Sequence, residues 1–86
     1  MPRVSQFFGI IVALHYNDHA PPHFHATYAE FEAQIAIESL AVLRGSLPRR
    51  ALALVLEWAS LHREELRRDW ELARQGQPLE PIEPLD

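Results

Sequence analysis

The sequence of 86 residues has no cysteine and no lysine, and only three glycines. With no thiol available, disulfides and thiolate metal sites are excluded, and nothing argues for an oxidising compartment. Long apolar runs are missing too: the longest, Phe7 to Leu14, is too short to span a membrane. A basic excess is also lacking. Net charge is −4, and the end of the chain carries Glu80, Glu83 and Asp86 with no base. The remainder sets eight arginines against nine acids, which disfavours a dedicated duplex-binding surface. No charged leader precedes an apolar run with a small-residue cleavage site, so no signal peptide and a cytoplasmic location are expected.

What the sequence does hold is a concentration of histidine. Four of its five histidines fall between His15 and His25, among the turn-forming pairs Asn17-Asp18 and Pro21-Pro22. The stretch reads as the end of one strand, a rigid loop and the start of the next strand. At 48% hydrophobic, the chain can bury one core. We read residues 1–76 as a single domain and 77–86 as a proline-rich acidic tail.

Met1 to Gln6 reads as a short lead-in. Phe8 to Tyr16 is rich in β-branched and aromatic residues and reads as a strand. His23 to Tyr28 is the next strand, Ala29-Glu30 a tight turn, and Phe31 to Glu38 a cleanly alternating strand. Ala41 to Arg44 can form a short further strand, closed by Gly45. Pro48 to about Gln75 has helix composition throughout, with Ser46 as cap and Gly76 as stop. The expected fold is therefore α+β: an antiparallel meander of three or four strands packed against one long C-terminal helix, about 40 Å long at roughly 1.5 Å per residue.

Register then decides what the histidines can do together. Burying Phe24, Ala26 and Tyr28 on the side of Val12 and Leu14 pairs even-numbered with even-numbered residues. The same pairing puts His15 on the side of His23 and His25. Pairing Tyr28 with Phe31 sets Thr27 opposite Glu32 and His25 opposite Gln34. His15, His23 and His25 are thus candidate ligands for a zinc-like divalent metal, with Asp18 and His19 as further candidates at the edge. Two other readings stand beside it: metal-free acid–base work by two histidines, or imidazoles that only hold the loop. His62, on the helix stripe, reads as a core or interface histidine.

Two helix features point to partners. Arg49 and Arg50 in the first turn oppose the helix dipole; they are either an anion-binding pair or surface arginines with apolar stems. The segment from Ala51 to Leu56 is apolar all round, which one sheet cannot cover. Leu54, Trp58 and Leu61 are therefore expected at an interface, with a homodimer or a cognate small protein burying them. In the tail, Pro78, Pro81 and Pro84 recur at the period of polyproline II, which aligns Leu79, Ile82 and Leu85 on one edge. The tail either frays or docks on that edge beside Trp70.

The motifs Phe7-Phe8-Gly9-Ile10, Tyr16-Asn17-Asp18-His19, Pro21-Pro22-His23-Phe24-His25, Leu47-Pro48-Arg49-Arg50 and Trp70-Glu71-Leu72-Ala73-Arg74 occur in that order. Together they closely resemble the small bacterial domain family of unknown function numbered 4160, over nearly the whole chain. The resemblance implies a small cytoplasmic bacterial protein with a protein partner, a component of a toxin–antitoxin-like pair. It supplies no reaction and no catalytic residues. The alternative from the residues themselves is a metal-dependent hydrolase or nuclease using the histidine cluster.

Overall fold

The computed structural model describes residues 2–86. Five strands run in sequence order: β1 (Arg3–Phe7), β2 (Ile10–Ala13), β3 (His23–Tyr28), β4 (Phe31–Ala36) and β5 (Val42–Ser46). They form one antiparallel meander in which each strand pairs with the next. Two helices follow, α1 (Arg49–Leu61) and α2 (Arg63–Arg74). The fold is α+β, with five strands where three or four were expected and two helices in place of one.

The extra strand is the segment read as a lead-in. Phe8 and Gly9 both take positive φ, 49° and 80°. They make a two-residue hairpin turn, the geometry that matches strand twist. Phe8 to Tyr16 is therefore not one strand. Its first two residues are a turn, and pairing ends at Ala13.

The long helix is broken at His62, whose φ of −125° and ψ of 27° are non-helical. A straight rod of about 40 Å would outrun a molecule measuring 33 × 25 × 22 Å. Glu64 and Glu65 in the next turn favour a new helix N-terminus there. The bend keeps Trp58, Leu66 and Trp70 all against the core. Ser46 ends β5 and caps nothing; Pro48 holds the N-cap position without a side-chain bond. On α2, Arg68 pairs with Glu80 and Arg67 with Glu64.

Registers follow the demand of burial. Val12 opposes Ala26, and Ile10 opposes Tyr28. Across the next hairpin, Tyr28 faces Phe31, Thr27 faces Glu32 and His25 faces Gln34. One face of the sheet, with Ile10, Val12, Phe24 and Ile35, closes on Val55, Trp58 and Leu66 of the helices. Trp58 sits against the rings of Phe7 and Phe24.

The two outer strands each carry an irregularity. In β1 the register shifts between Arg3 and Ser5, leaving Val4 as an extra residue. In β5 it shifts between Val42 and Arg44, leaving Leu43 extra. Gly45 (φ 78°) follows directly, where an added Cβ would meet the Glu32 carbonyl oxygen at 2.1 Å.

The tail docks. Ile82 is buried, and Leu79 and Leu85 pack partly against the same core. The Ile82 N–H donates to the Val4 carbonyl oxygen at 2.7 Å. The Trp58 indole N–H donates to the Glu83 carbonyl oxygen at 2.8 Å. The Glu80 N–H donates to Asp69 Oδ1 at 2.9 Å, and Arg68 pairs with the Glu80 carboxylate. Trp58 is thus covered by the chain's own tail, not left for a partner. Leu54 is half-buried; of the three residues expected at an interface, only Leu61 is well exposed.

Candidate metal centre

Three strands and one loop build the histidine site. His23 and His25 alternate with Phe24 on β3, so burying Phe24 in the core turns both imidazoles to the other face. His15 follows β2 and stacks on His25 with ring centroids 3.7 Å apart. The 14–22 loop brings Asp18 over both β3 histidines; the Ala20–Pro21 peptide in it is cis. Glu32 reaches across from β4 to His25.

Hydrogen bonding decides what these rings offer. His23 Nδ1 lies 2.8 Å from the Pro21 carbonyl oxygen. A carbonyl can only accept, so this nitrogen carries the proton. His23 thereby presents its Nε2 lone pair to Asp18 Oδ2, at 3.0 Å. His25 lies between two acceptors, with Nδ1 3.2 Å from Glu32 Oε2 and Nε2 2.9 Å from the same Asp18 oxygen. The His25 contact has hydrogen-bond geometry, whereas His23 Nε2 is buried and not aligned to make one. His15 Nε2 is also buried without a partner. Lone pairs facing a carboxylate repel unless a positive charge lies between: a second ring proton or a metal cation.

The ligand atoms of His15, Asp18 and His25 lie within 4.8 Å of one another. This differs from the trio expected on sequence. Asp18 joins, and His23 flanks, held between Asp18 and the Trp70 ring. His19 contributes its backbone N–H to Asp18 Oδ1 at 3.1 Å, and its ring is outside the trio. Loop proximity on the sequence pointed to Asp18, but only the folded loop shows its carboxylate bracketed by two rings. Glu32 was legible as a cross-strand neighbour, two residues from the position opposite His25, yet was not read as its partner.

The electrostatics suit a neutral nitrogen ligand at His15 and an ionised oxygen at Asp18. Burial, reinforced by the charge of His25 beside it, lowers the His15 pKa below its ordinary value. For Asp18, burial works upward, but the His25 hydrogen bond and the neighbouring His23 outweigh it and hold the carboxyl below its ordinary value.

The other expected residues lie elsewhere. Arg49 and Arg50 are exposed at the start of α1, and Arg50 borders a small apolar pocket with Phe8, Tyr28 and Leu54. His62 stacks obliquely on Trp58 and binds Glu65 at 2.6 Å. Among the described residues, no helix is long and apolar enough to cross a membrane.

No curated protein and no solved structure matches the chain. A family model described as "Domain of unknown function (DUF4160)" matches residues 9–71, a span from the first hairpin into α2 that contains the whole histidine cluster. The chain belongs to the DUF4160 family.

Proposed function

We propose that this domain is a metal-dependent hydrolase whose centre is His15, Asp18 and His25. One observation carries the reading. The Glu32 carboxylate holds His25 at Nδ1, His25 Nε2 lies 2.9 Å from Asp18 Oδ2, and His15 Nε2 is buried beside them without a partner. Ligating histidines are characteristically oriented through the far nitrogen in this way. Two nitrogens and one oxygen suit a zinc-like dication and leave a coordination position for water. Such an ion supplies Lewis acidity and an activated water. The chain's part is to orient the ligands: Glu32 fixes the His25 ring, Pro21 fixes His23, and the His19 N–H fixes the Asp18 carboxylate. His23, buried beside Asp18, holds its Nε2 3.0 Å from the Asp18 carboxylate.

The test is metal content and affinity of purified protein, by mass spectrometry and by cobalt(II) absorption. One ion per chain is expected, lost in His25→Ala. Protein that stays metal-free in the presence of zinc, cobalt and manganese refutes the reading.

A second reading is a protein-interaction component of a toxin–antitoxin-like pair, in a bacterial cytoplasm. The exposed outer strand β5, with Val42 and Leu43 facing solvent, supports it. Co-purification of a defined small partner, lost on changing Val42 and Leu43 to Lys, is the expected result. The two readings are compatible.

A further inference from the structure

Arg44 is a charged residue that the metal reading does not use. It lies opposite Gln34, which lies opposite His25, so the three form one cross-strand row. Residues opposed in an antiparallel sheet point to the same side. Arg44 and Gln34 line a groove together with Asp18 and His23. Arg44 is exposed and, among the described residues, has no ion-pair partner.

The backbone aims it there. Consecutive strand residues normally face opposite sides, yet Leu43 and Arg44 both border this groove. The register shift beside Gln34 makes that possible, and bulges commonly re-aim a side chain beside a site. Gly45 supports the distortion, since any larger residue would collide with the Glu32 backbone.

We propose that Arg44, with Gln34, binds the phosphate of a phosphodiester whose reactive centre lies over His15, Asp18 and His25. The proposal rests on the metal reading and adds the substrate class to it. A dication with the Asp18 and Glu32 carboxylates and the Arg44 guanidinium carries a net single positive charge. That matches a monoanionic diester better than a dianionic monoester. A diester is also both the anion to be held and the bond to be hydrolysed, whereas a carboxylate is only the first. Water adds its oxygen to phosphorus as the ester P–O bond breaks, and the leaving alkoxide takes up the proton released by water. The near-neutral body favours a small or single-stranded diester over a duplex.

Binding of dimethyl phosphate to the cobalt(II)-loaded full chain, read by paramagnetic broadening of its phosphorus NMR line, tests this. Saturable binding is expected, about 10-fold weaker in Arg44→Gln, with the cobalt spectrum and melting temperature unchanged. Inorganic phosphate should compete less well, and acetate least. Equal affinity in Arg44→Gln, absence of saturation, or acetate competing as well as the diester overturns the proposal and leaves the metal centre standing. Absence of a cobalt spectrum in the wild type overturns both.

Discussion

His15 and His25 lie face to face, with ring planes 10° from parallel. Two charged imidazoles stacked this closely repel. Burial, then the charge of His25, therefore keeps His15 neutral to lower pH than in the unfolded chain. The unfolded chain binds the extra proton, so the stability that neutral His15 contributes is complete above about pH 6.5 and is lost as pH falls below it. In chelator-treated protein, the gap in melting temperature between wild type and His15→Gln should narrow from about pH 7 to about pH 5. A gap independent of pH would mean that His15 does not titrate differently on folding.

His23 is expected to act on the metal through Asp18. His23→Phe preserves packing against Trp70 but removes Nε2 and the bond to Pro21. Zinc affinity should fall by about 10–100-fold, as for other outer-shell partners. His15→Ala and His25→Ala should cost more. Competition with a zinc chelator gives the ranking, and a His23 variant as damaging as His25→Ala would make His23 a ligand in its own right.

Removing residues 77–86 should destabilise the domain. Ile82 is 4% exposed, and the tail accepts the Trp58 indole N–H. Burying a side chain like Ile82 is worth about 1.5–3 kcal/mol, and a buried donor left unpaired costs about 1–3 kcal/mol. Each kcal/mol moves the midpoint of a domain this size by roughly 4–8 °C. Truncation should therefore lower the melting temperature by at least about 10 °C, with Trp58 fluorescence shifting red. An unchanged midpoint would make the docked tail energetically idle.

Gly45→Ala should be costly for a side chain so small. The new methyl would sit on the Glu32 carbonyl oxygen, at a φ of 78° that alanine also disfavours. A loss of about 1–3 kcal/mol in chemical denaturation is expected. Amide exchange should rise in β4 and β5 while the hairpin of β1 and β2 stays protected.

Asp69 runs against the usual direction. Burial raises its pKa, and its Oδ2 has no partner. A carboxyl with a raised folded pKa contributes most below its unfolded value and loses that contribution as pH rises through the folded one. Asp69→Asn keeps an acceptor for the Glu80 N–H. The variant should gain on the wild type in melting temperature from about pH 4 to about pH 7.

The sheet was legible where one face had to be buried. Phe24, Ala26, Val12 and Leu14 could share a core only in one register, and that register carried the histidines to the opposite face. The α1–α2 break was less visible because Ser60, Leu61 and His62 are all tolerated in helices. Only the acidic pair Glu64-Glu65 marked a new start. The β1 hairpin was missed because apolar character runs through the turn, with Gly9 as its one signal. The all-round apolar face of α1 suggested a partner, but part of that cover comes from a tail whose period-three edge was read correctly and whose target, Trp58, was not. The role of Arg44 was invisible, since a bulge depends on pairing and not on the residues of one strand.

The tail also changes how copies of this chain could meet. At Val4 the extra residue in β1 gives its carbonyl to Ile82, so the outer side of β1 is already engaged. Among the described residues, none covers the outer side of β5 with a backbone hydrogen bond. A sheet open on both sides can recruit strands without end, which is the route to fibres. A sheet open on one side can only meet its own equivalent edge. Any growth through backbone pairing is then isologous and stops at two, so the last residues of the chain act as a terminator for the first.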